Sequence, residues 1–250
     1  MMQKFNSSGV VIAYEIWGQG EPILLTHGFA SNMNVNWVAT GWVKTLVDAG
    51  RQVIAIDSRG HGESEKLYDP NQYSAAIMAD DAAHLLEHLK ITKADVMGYS
   101  MGARISAFLC LQNPQLVRRA IFAGLASRMI TGVGGAEAIA LALEAATASE
   151  VEDRDARGFR IFADQTKSDR RALAACIRSS RVKIKPEALA TINFPVLVVA
   201  GENDDVAGTV DGLTSFIPNS KGVLLPNRNH MNAVGDSGYK SAVLDFLNAP

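Results

Sequence analysis

A serine, a histidine and a group of acidic residues occur where the chain could assemble a nucleophile, a base and an orienting acid. Ser100 lies within Gly98 to Gly102, a G-x-S-x-G pattern that separates a strand-like run from a helix-like one. In that context a tight, strained turn exposes the serine beside a helix N-terminus, where free N–H groups stabilise an oxyanion. Because the short pattern also arises by chance, its weight depends on suitable companions elsewhere in the chain.

Those companions are a base and a carboxylate that holds it. His230 follows the last strand-like run, and Glu202, Asp204 and Asp205 follow the run before it. If both runs are parallel strands, their carboxyl ends lie at the same edge of one sheet. Asp204 is the predicted acid; Asp205 stays open because spacing alone does not separate the two, and Glu202, closer to the strand end, is a weaker candidate. The sequence therefore predicts Ser100, Asp204 and His230 as a catalytic triad.

An acyl-transfer site also needs donors for the oxygen that becomes negatively charged. Phe29 follows His27 and Gly28 at the end of another strand-like run. The backbone N–H groups of Phe29 and Met101 are the predicted oxyanion donors. His27 itself is expected to hydrogen-bond the loop backbone and to take no part in proton transfer.

The predicted substrate pocket is mainly apolar, which favours a small to medium, largely uncharged ester. Its proposed lining residues are Phe29, Trp37, Met129, Phe159, Phe162 and Met231, with Trp42 a further candidate beside Trp37. Four arginines, Arg128, Arg154, Arg157 and Arg160, could bind an acid group, but the interpretation adopted for them is a solvated helix face.

The elements that position these residues follow from the apolar pattern. Several short runs are apolar at successive positions, which indicates strands buried on both faces of a parallel sheet. They are Ile23 to Thr26, Val53 to Ile56, Ala94 to Met97, Ala120 to Ala123, Val196 to Ala200 and Val223 to Leu225. Helix-like segments separate them, so the predicted fold class is α/β. The turn-like residues 6–9 before Val10 predict an antiparallel hairpin at one edge of the sheet.

The alternation of strand-like and helix-like segments stops between Leu125 and Ala190. This segment is rich in Ala, Glu and Arg and has no strand-like run. It is predicted to be a helical insertion, called here the cap segment (residues 125–190), that lies over the carboxyl edge of the sheet. Residues 1–124 and 191–250 then form a single core domain.

Composition excludes several other classes. The chain has 250 residues, is 48% hydrophobic and 20% charged, and has a net charge of −2. This is the profile of a globular protein, without the basic stripe that nucleic acid requires. The absence of a signal-peptide pattern and of a long apolar stretch predicts a cytoplasmic protein with no membrane partner. Cys110 and Cys176 are expected to be reduced, packed thiols. No cofactor is expected, and the oligomeric state is not indicated.

One rival motif suggests metal chemistry. His84, Glu87 and His88 fit H-x-x-E-H, in which two histidines one helical turn apart bind zinc. The run from Ala82 to Leu89 also has the pattern of an amphipathic helix, and no third ligand is evident. The prediction is therefore no metal site.

Taken together, these residues resemble the α/β-hydrolases, in particular bacterial serine esterases and lactonases with a small helical cap. The similarity extends over nearly the whole chain and includes the order Ser100, Asp204, His230. The loop Asp57 to Ser64 is similar to the family's D-x-R-G-x-G-x-S segment, which implies structural roles for Arg59 and His61. The chain departs from the family pattern at Asn229, where glycine usually precedes the histidine.

The resemblance implies an α/β-hydrolase fold and acyl transfer to water. Family members that open epoxides or displace halide carry aspartate at the nucleophile position, so Ser100 argues against both reactions. Lactone opening, C–C bond hydrolysis and the use of peroxide in place of water stay open, because they reuse the same serine, base and donors. A non-catalytic receptor on the same fold is a less favoured alternative.

Overall fold

The predicted strands form one eight-stranded sheet. The computed structural model describes residues 1–249. The strands are β1 (Gln3–Ser7), β2 (Val10–Trp17), β3 (Glu21–Thr26), β4 (Arg51–Ile56), β5 (Ala94–Tyr99), β6 (Val117–Ala123), β7 (Val196–Gly201) and β8 (Ser220–Leu225). Their order across the sheet is β1-β2-β4-β3-β5-β6-β7-β8. β1 and β2 pair antiparallel with each other, β2 pairs antiparallel with β4, and all other pairs are parallel. The mostly parallel α/β sheet and the edge hairpin are thus confirmed.

Some strands begin earlier than their apolar runs because polar residues pair at the amino edge of the sheet. β4 begins at Arg51, whose guanidinium lies 3.3 Å from the carboxylate of Asp95 in β5. Arg118 in β6 reaches the same carboxylate at 2.9 Å. Because Asp95 is fully buried, these partners offset the cost of desolvating its charge.

Helices cover both faces of the sheet. The α-helices are α1 (Trp42–Asp48), α2 (Ala75–His88), α3 (Met101–Gln112), α4 (Arg128–Thr131), α5 (Ala136–Glu144), α6 (Arg154–Gln165), α7 (Arg170–Ser179), α8 (Pro186–Leu189), α9 (Asp211–Thr214) and α10 (Ser237–Asn248). α2 and α3 belong to one hydrophobic cluster with the inner residues of the cap segment, and α1 and α10 belong to the cluster on the other face. N-cap side chains start several helices, such as Ser74 for α2 and Asp153 for α6.

The cap segment contains α4 to α8 and, within the described residues, no strand. It contacts the core close to the predicted site. The rings of Phe159 in α6 and Phe29 lie edge to face with centroids 5.8 Å apart. The Thr166 hydroxyl lies 3.0 Å from the carbonyl oxygen of Ala30, and Cys176 Sγ lies 3.9 Å from Met101 Sδ. The division of the chain into a core domain and a cap stays a prediction.

Cys110 and Cys176 are both buried and unpaired. Burial raises the pKa of each thiol, which disfavours the reactive thiolate. Among residues 1–249, no helix has the length and apolar character needed to cross a bilayer.

Candidate active site

Ser100 occupies a sharp turn between β5 and α3. Its backbone has φ 56° and ψ −112°, a strained conformation for a residue with a side chain. A Cβ atom on Gly98 would lie 2.1 Å from the carbonyl oxygen of Gly102, and one on Gly102 would lie 2.0 Å from that of Thr26. Only glycine fits at either position, so both glycines of the G-x-S-x-G pattern are required by packing.

The structure brings the three residues of the predicted triad into one hydrogen-bonded line. His230 Nε2 lies 3.0 Å from Ser100 Oγ. His230 Nδ1 lies 2.9 and 3.0 Å from the two carboxylate oxygens of Asp204. Because a carboxylate only accepts, Nδ1 carries the proton and Nε2 is left to accept from the serine hydroxyl. This is the tautomer that a general base for Ser100 requires.

Burial and hydrogen bonding distinguish the acidic candidates that spacing in the sequence could not separate. The Asp204 side chain is fully buried, and its Oδ1 also accepts the backbone N–H groups of Val206 and Ala207. Asp205 is exposed, and Glu202 accepts the N–H of Asn227 away from the imidazole. Of the three acidic candidates, Asp204 is the one that contacts His230.

The two predicted oxyanion donors are free. Among residues 1–249 no acceptor pairs with the N–H of Phe29 or of Met101, the first residue of α3. Free N–H groups of this kind beside a serine hydroxyl can bind an oxyanion. The loop that carries Phe29 is held rigidly, because the Gly28 N–H donates to Asn36 Oδ1 at 2.9 Å.

His27 fixes the same loop as a neutral imidazole. Its Nδ1 lies 2.8 Å from the carbonyl of Gly28, and its Nε2 accepts the N–H of Ser58 at 3.0 Å. Burial lowers the pKa of His27, although the nearby Asp57 carboxylate opposes the shift. Burial also lowers the pKa of His61, to about 3, and the ring of His61 packs against that of His27 at 5.2 Å. Both side chains contact loop backbone, and neither contacts Ser100.

The predicted pocket residues are placed unevenly. Phe29 and Met101 are nearly buried beside Ser100, Met129 is fully buried in the same cluster, and Phe159 and Phe162 are half-buried in α6. Met231, next to the base, is 62% exposed.

Trp37 requires a correction. Its side chain is fully buried in the cluster on the opposite face of the sheet, 6.4 Å from the ring of Trp42. The π-helical turn Asn34–Val38 directs the indole into this core, so Trp37 and Trp42 stabilise the fold and do not line the site.

Two buried arginines, Arg104 and Arg160, are bound to backbone carbonyls. Arg104 in α3 is buried and donates to the carbonyl oxygens of Met129 and Val182. Arg160 was predicted on a solvated face, but it is only 4% exposed and donates to the carbonyls of Ala142, Ala145 and Ala146. It satisfies the carbonyls that α5 leaves free at its C-terminal end, and this explains its burial. Both guanidinium groups are therefore already occupied.

Two surface concavities lie away from the serine. One, of about 700 Å³, lies between α7 and the loop around Tyr68. The other, of about 570 Å³, lies beside the loop that carries Asp204 and includes Arg128 and Asp205. Ser100 lines neither of them, and its side chain is half-buried.

The H-x-x-E-H residues contact other parts of the fold. His84 Nδ1 lies 2.9 Å from Ser7 Oγ, and the His88 ring stacks on Phe5 with centroids 5.3 Å apart. Within residues 1–249 no three His, Cys, Asp or Glu side chains are grouped as metal ligands.

Two side chains beside the triad were not predicted. Asn36 holds Gly28, and Tyr99 donates its hydroxyl to the backbone carbonyl of His230 at 2.6 Å. The position of Tyr99 next to Ser100 could have drawn attention to it. Nothing in the sequence marks Asn36, because the π-helical turn that directs its amide towards Gly28 has no recognised pattern.

Comparison with known proteins agrees with the α/β-hydrolase fold. A sequence model for the alpha/beta hydrolase fold matches residues 21–133. A non-heme chloroperoxidase of Kitasatospora aureofaciens is 39% identical over 94 residues, which is 38% of this chain and about a third (32%) of that protein's length. The 3-oxoadipate enol-lactonase 2 of Acinetobacter baylyi is 29% identical over 228 residues, 83% of this chain and 81% of that one. A crystal structure of a hydrolase from Pseudomonas aeruginosa superposes with a TM-score of 0.83 at 26% identity, covering 99% of this chain and 98% of that chain.

Proposed function

We propose that this chain, which has the α/β-hydrolase fold, is a serine hydrolase that cleaves carboxylic esters of small to medium, largely apolar substrates. The observation that carries the proposal is the line of hydrogen bonds from Asp204 through His230 to Ser100, next to two free backbone N–H groups. Fold alone does not determine activity, whereas this arrangement provides a nucleophile, a base and an oxyanion site together.

The proposed reaction has two halves. Ser100 Oγ attacks the ester carbonyl while His230 Nε2 takes the hydroxyl proton, and the N–H groups of Phe29 and Met101 stabilise the oxyanion. Collapse of the intermediate breaks the ester C–O bond, and His230 gives its proton to the leaving alkoxide. Water, deprotonated by the same imidazole, then attacks the acyl-enzyme and releases the acid and free Ser100. Asp204 stays ionised and stabilises the imidazolium in both halves.

The apolar surroundings of Ser100 support an uncharged acyl group. Phe29, Met101 and Met129 are apolar, and Arg104 behind them is bound to backbone carbonyls. A substrate carboxylate placed there would lose water without gaining a free cation, which is costly.

A lactone is the second candidate. It is favoured by the similarity to the enol-lactonase, which spans most of both chains. A lactone is an internal ester, so its opening uses the same steps, except that the leaving alkoxide stays attached to the acyl group. C–C bond hydrolysis and perhydrolysis use the same machinery, and direct assays separate them from ester hydrolysis.

The test is turnover of p-nitrophenyl esters of increasing acyl length by the wild type and by Ser100→Ala. We expect the alanine variant to lose about four orders of magnitude or more in kcat. Ser106→Ala is the matched control, because Ser106 is buried in the same helix and its hydroxyl contacts Thr26, away from His230. It should retain wild-type turnover.

Two further arms separate the alternatives. EDTA should leave wild-type activity intact, and loss of activity would favour the His84–Glu87–His88 site instead. Parallel assays with γ-lactones give kcat/KM values that can be compared with those for the linear esters, and the higher value identifies the preferred substrate class. Ester turnover by Ser100→Ala at the wild-type rate would contradict the proposed mechanism.

A further inference from the structure

Two consecutive residues of the nucleophile turn bind His230 at two different atoms. Ser100 Oγ contacts the imidazole Nε2 at 3.0 Å, and the hydroxyl of Tyr99 donates to the backbone carbonyl of His230 at 2.6 Å. Asp204 contacts the third polar atom of the residue, Nδ1. The base is thus held at its backbone as well as at its ring.

Tyr99 is well placed to hold this carbonyl in a fixed position. It ends β5, is only 5% exposed, and its ring lies 5.4 Å from the imidazole of His230 and 6.5 Å from the ring of Tyr239. Burial raises the pKa of Tyr99, so its hydroxyl keeps the proton that it donates. The rigid strand therefore sets the position of the donor.

The loop around His230 is closed by a pair of asparagines. Asn229 Oδ1 accepts the N–H groups of Met231 and Asn232 at 3.0 Å each, and Asn232 Oδ1 accepts the N–H of Asn229 at 2.8 Å. The Ala233 N–H also donates to the carbonyl of Asn229 at 3.1 Å. Asn229 occupies the position at which the sequence departs from the usual glycine, and in this chain it shapes the turn that carries the base.

From these contacts we propose that Tyr99 is a positioning residue, which together with the Asn229–Asn232 pair fixes the imidazole of His230 through its backbone. The proposal rests on the proposed serine hydrolase function. The outer side of the His230 loop faces solvent, since Met231 is largely exposed and Asn229 and Asn232 are exposed. Without the Tyr99 hydroxyl the loop is free to shift on the scale of an ångström, which is enough to slow proton transfer markedly.

The test compares Tyr99→Phe with Tyr73→Phe. Both changes remove one hydroxyl that donates to a backbone carbonyl, since the Tyr73 hydroxyl donates to Leu67 at 2.7 Å. Steady-state kinetics with p-nitrophenyl butyrate give kcat and KM, and proton NMR follows the downfield Nδ1 proton of His230. For Tyr99→Phe we expect kcat to fall about tenfold with KM within about twofold of wild type, and the Nδ1 resonance to broaden. Tyr73→Phe should keep the kcat and the resonance of the wild type.

A purely structural Tyr99 hydroxyl would lower thermal stability in Tyr99→Phe and leave kcat and the resonance unchanged. That result for Tyr99→Phe overturns the proposal. If the wild type hydrolyses no ester, the proposed function fails, but the NMR comparison still decides the positioning role: broadening supports it and an unchanged resonance overturns it.

A second variant keeps the test decisive if Tyr99→Phe does not fold. Asn232→Ala opens the asparagine pair from the outer side of the loop. We expect a loss of about threefold in kcat at unchanged KM and the same broadening. Wild-type kcat together with an unchanged resonance would overturn the proposal here too.

Discussion

At the scale of single residues, the three side chains that meet in the candidate site were predictable and the residues that hold them were not. Ser100, Asp204 and His230 follow from the order and spacing of strand ends, whereas Asn36 and Tyr99 act through contacts between segments distant in sequence. The choice between Asp204 and Asp205 also needed the structure, because adjacent residues on a loop point in different directions. Trp37 was assigned wrongly since an aromatic residue near a catalytic loop has the same pattern whether it faces the core or the site.

Asn36 gives a prediction at this scale. Asn36→Leu removes the acceptor of the Gly28 N–H and leaves a buried donor unpaired, which costs about 1–3 kcal/mol of stability. Because Gly28 precedes Phe29, the proposed oxyanion donor, we also expect kcat/KM for p-nitrophenyl acetate to fall about tenfold. Urea unfolding and steady-state kinetics measure the two effects.

Asn32→Ala is the control for that change. Asn32 accepts the N–H of Val35 at 2.9 Å in the same segment without touching Gly28. It should lose stability but retain kcat/KM, and an equal loss of activity in both variants would contradict a specific role for Asn36.

At the scale of elements, the parallel strands were the most predictable part, because burial on both faces requires continuous apolar runs. The amino end of β4 was missed, because the charge of Arg51 is compensated by Asp95 of β5 on the far side of β3. Helix burial in the cap segment was also predicted poorly. Arg160 lies on an apparently polar face, yet it is buried by the end of a different helix, which a single-helix pattern cannot show.

Arg160 gives the second prediction. Arg160→Met keeps the length of the side chain but leaves the carbonyls of Ala142 and Ala146 without their side-chain donor, whereas Ala145 keeps the guanidinium of Arg170 at 3.1 Å. We expect the free energy of local opening in residues 136–165 to fall by about 2–4 kcal/mol, measured by amide hydrogen exchange. Because Phe159 is the preceding residue and contacts Phe29, KM for longer acyl esters should rise as well.

The control for Arg160→Met is Arg154→Met, because Arg154 lies on the exposed side of the same helix α6. Its exchange rates and KM should stay those of the wild type. Protection in residues 136–165 that survives Arg160→Met would show that α5 and α6 do not depend on this guanidinium.

At the scale of the whole molecule, neutral histidines inside the core link folding to pH. Burial lowers the pKa of His61 from its usual 6.5 to about 3. Between these two values the His61 imidazole is protonated in the unfolded chain but stays neutral in the folded chain. The free energy of unfolding therefore decreases as the pH falls. The stabilising contribution is complete above pH 6.5 and is lost progressively below it.

The third prediction follows from that linkage. His61→Gln removes the titrating group, so the acid side of the stability curve should become shallower by up to about 1.4 kcal/mol per pH unit. Urea unfolding of the wild type and the variant from pH 4 to 8 measures the slopes. The two curves should run parallel above pH 7, and equal slopes at pH 4–6 would mean that folded His61 accepts a proton.

The close packing of the nucleophile turn also shapes how such a protein can evolve. There is no space for a side chain at Gly98 or Gly102, so a substitution at either position would disrupt the turn. We therefore expect both glycines to be retained. The half-buried rings of Phe159 and Phe162 in the cap segment are under no such restriction. The match to the sequence model for the alpha/beta hydrolase fold stops at residue 133, soon after the cap segment begins. For the proposed hydrolase we therefore expect substitutions that alter substrate preference to be tolerated in the cap segment and not in the nucleophile turn.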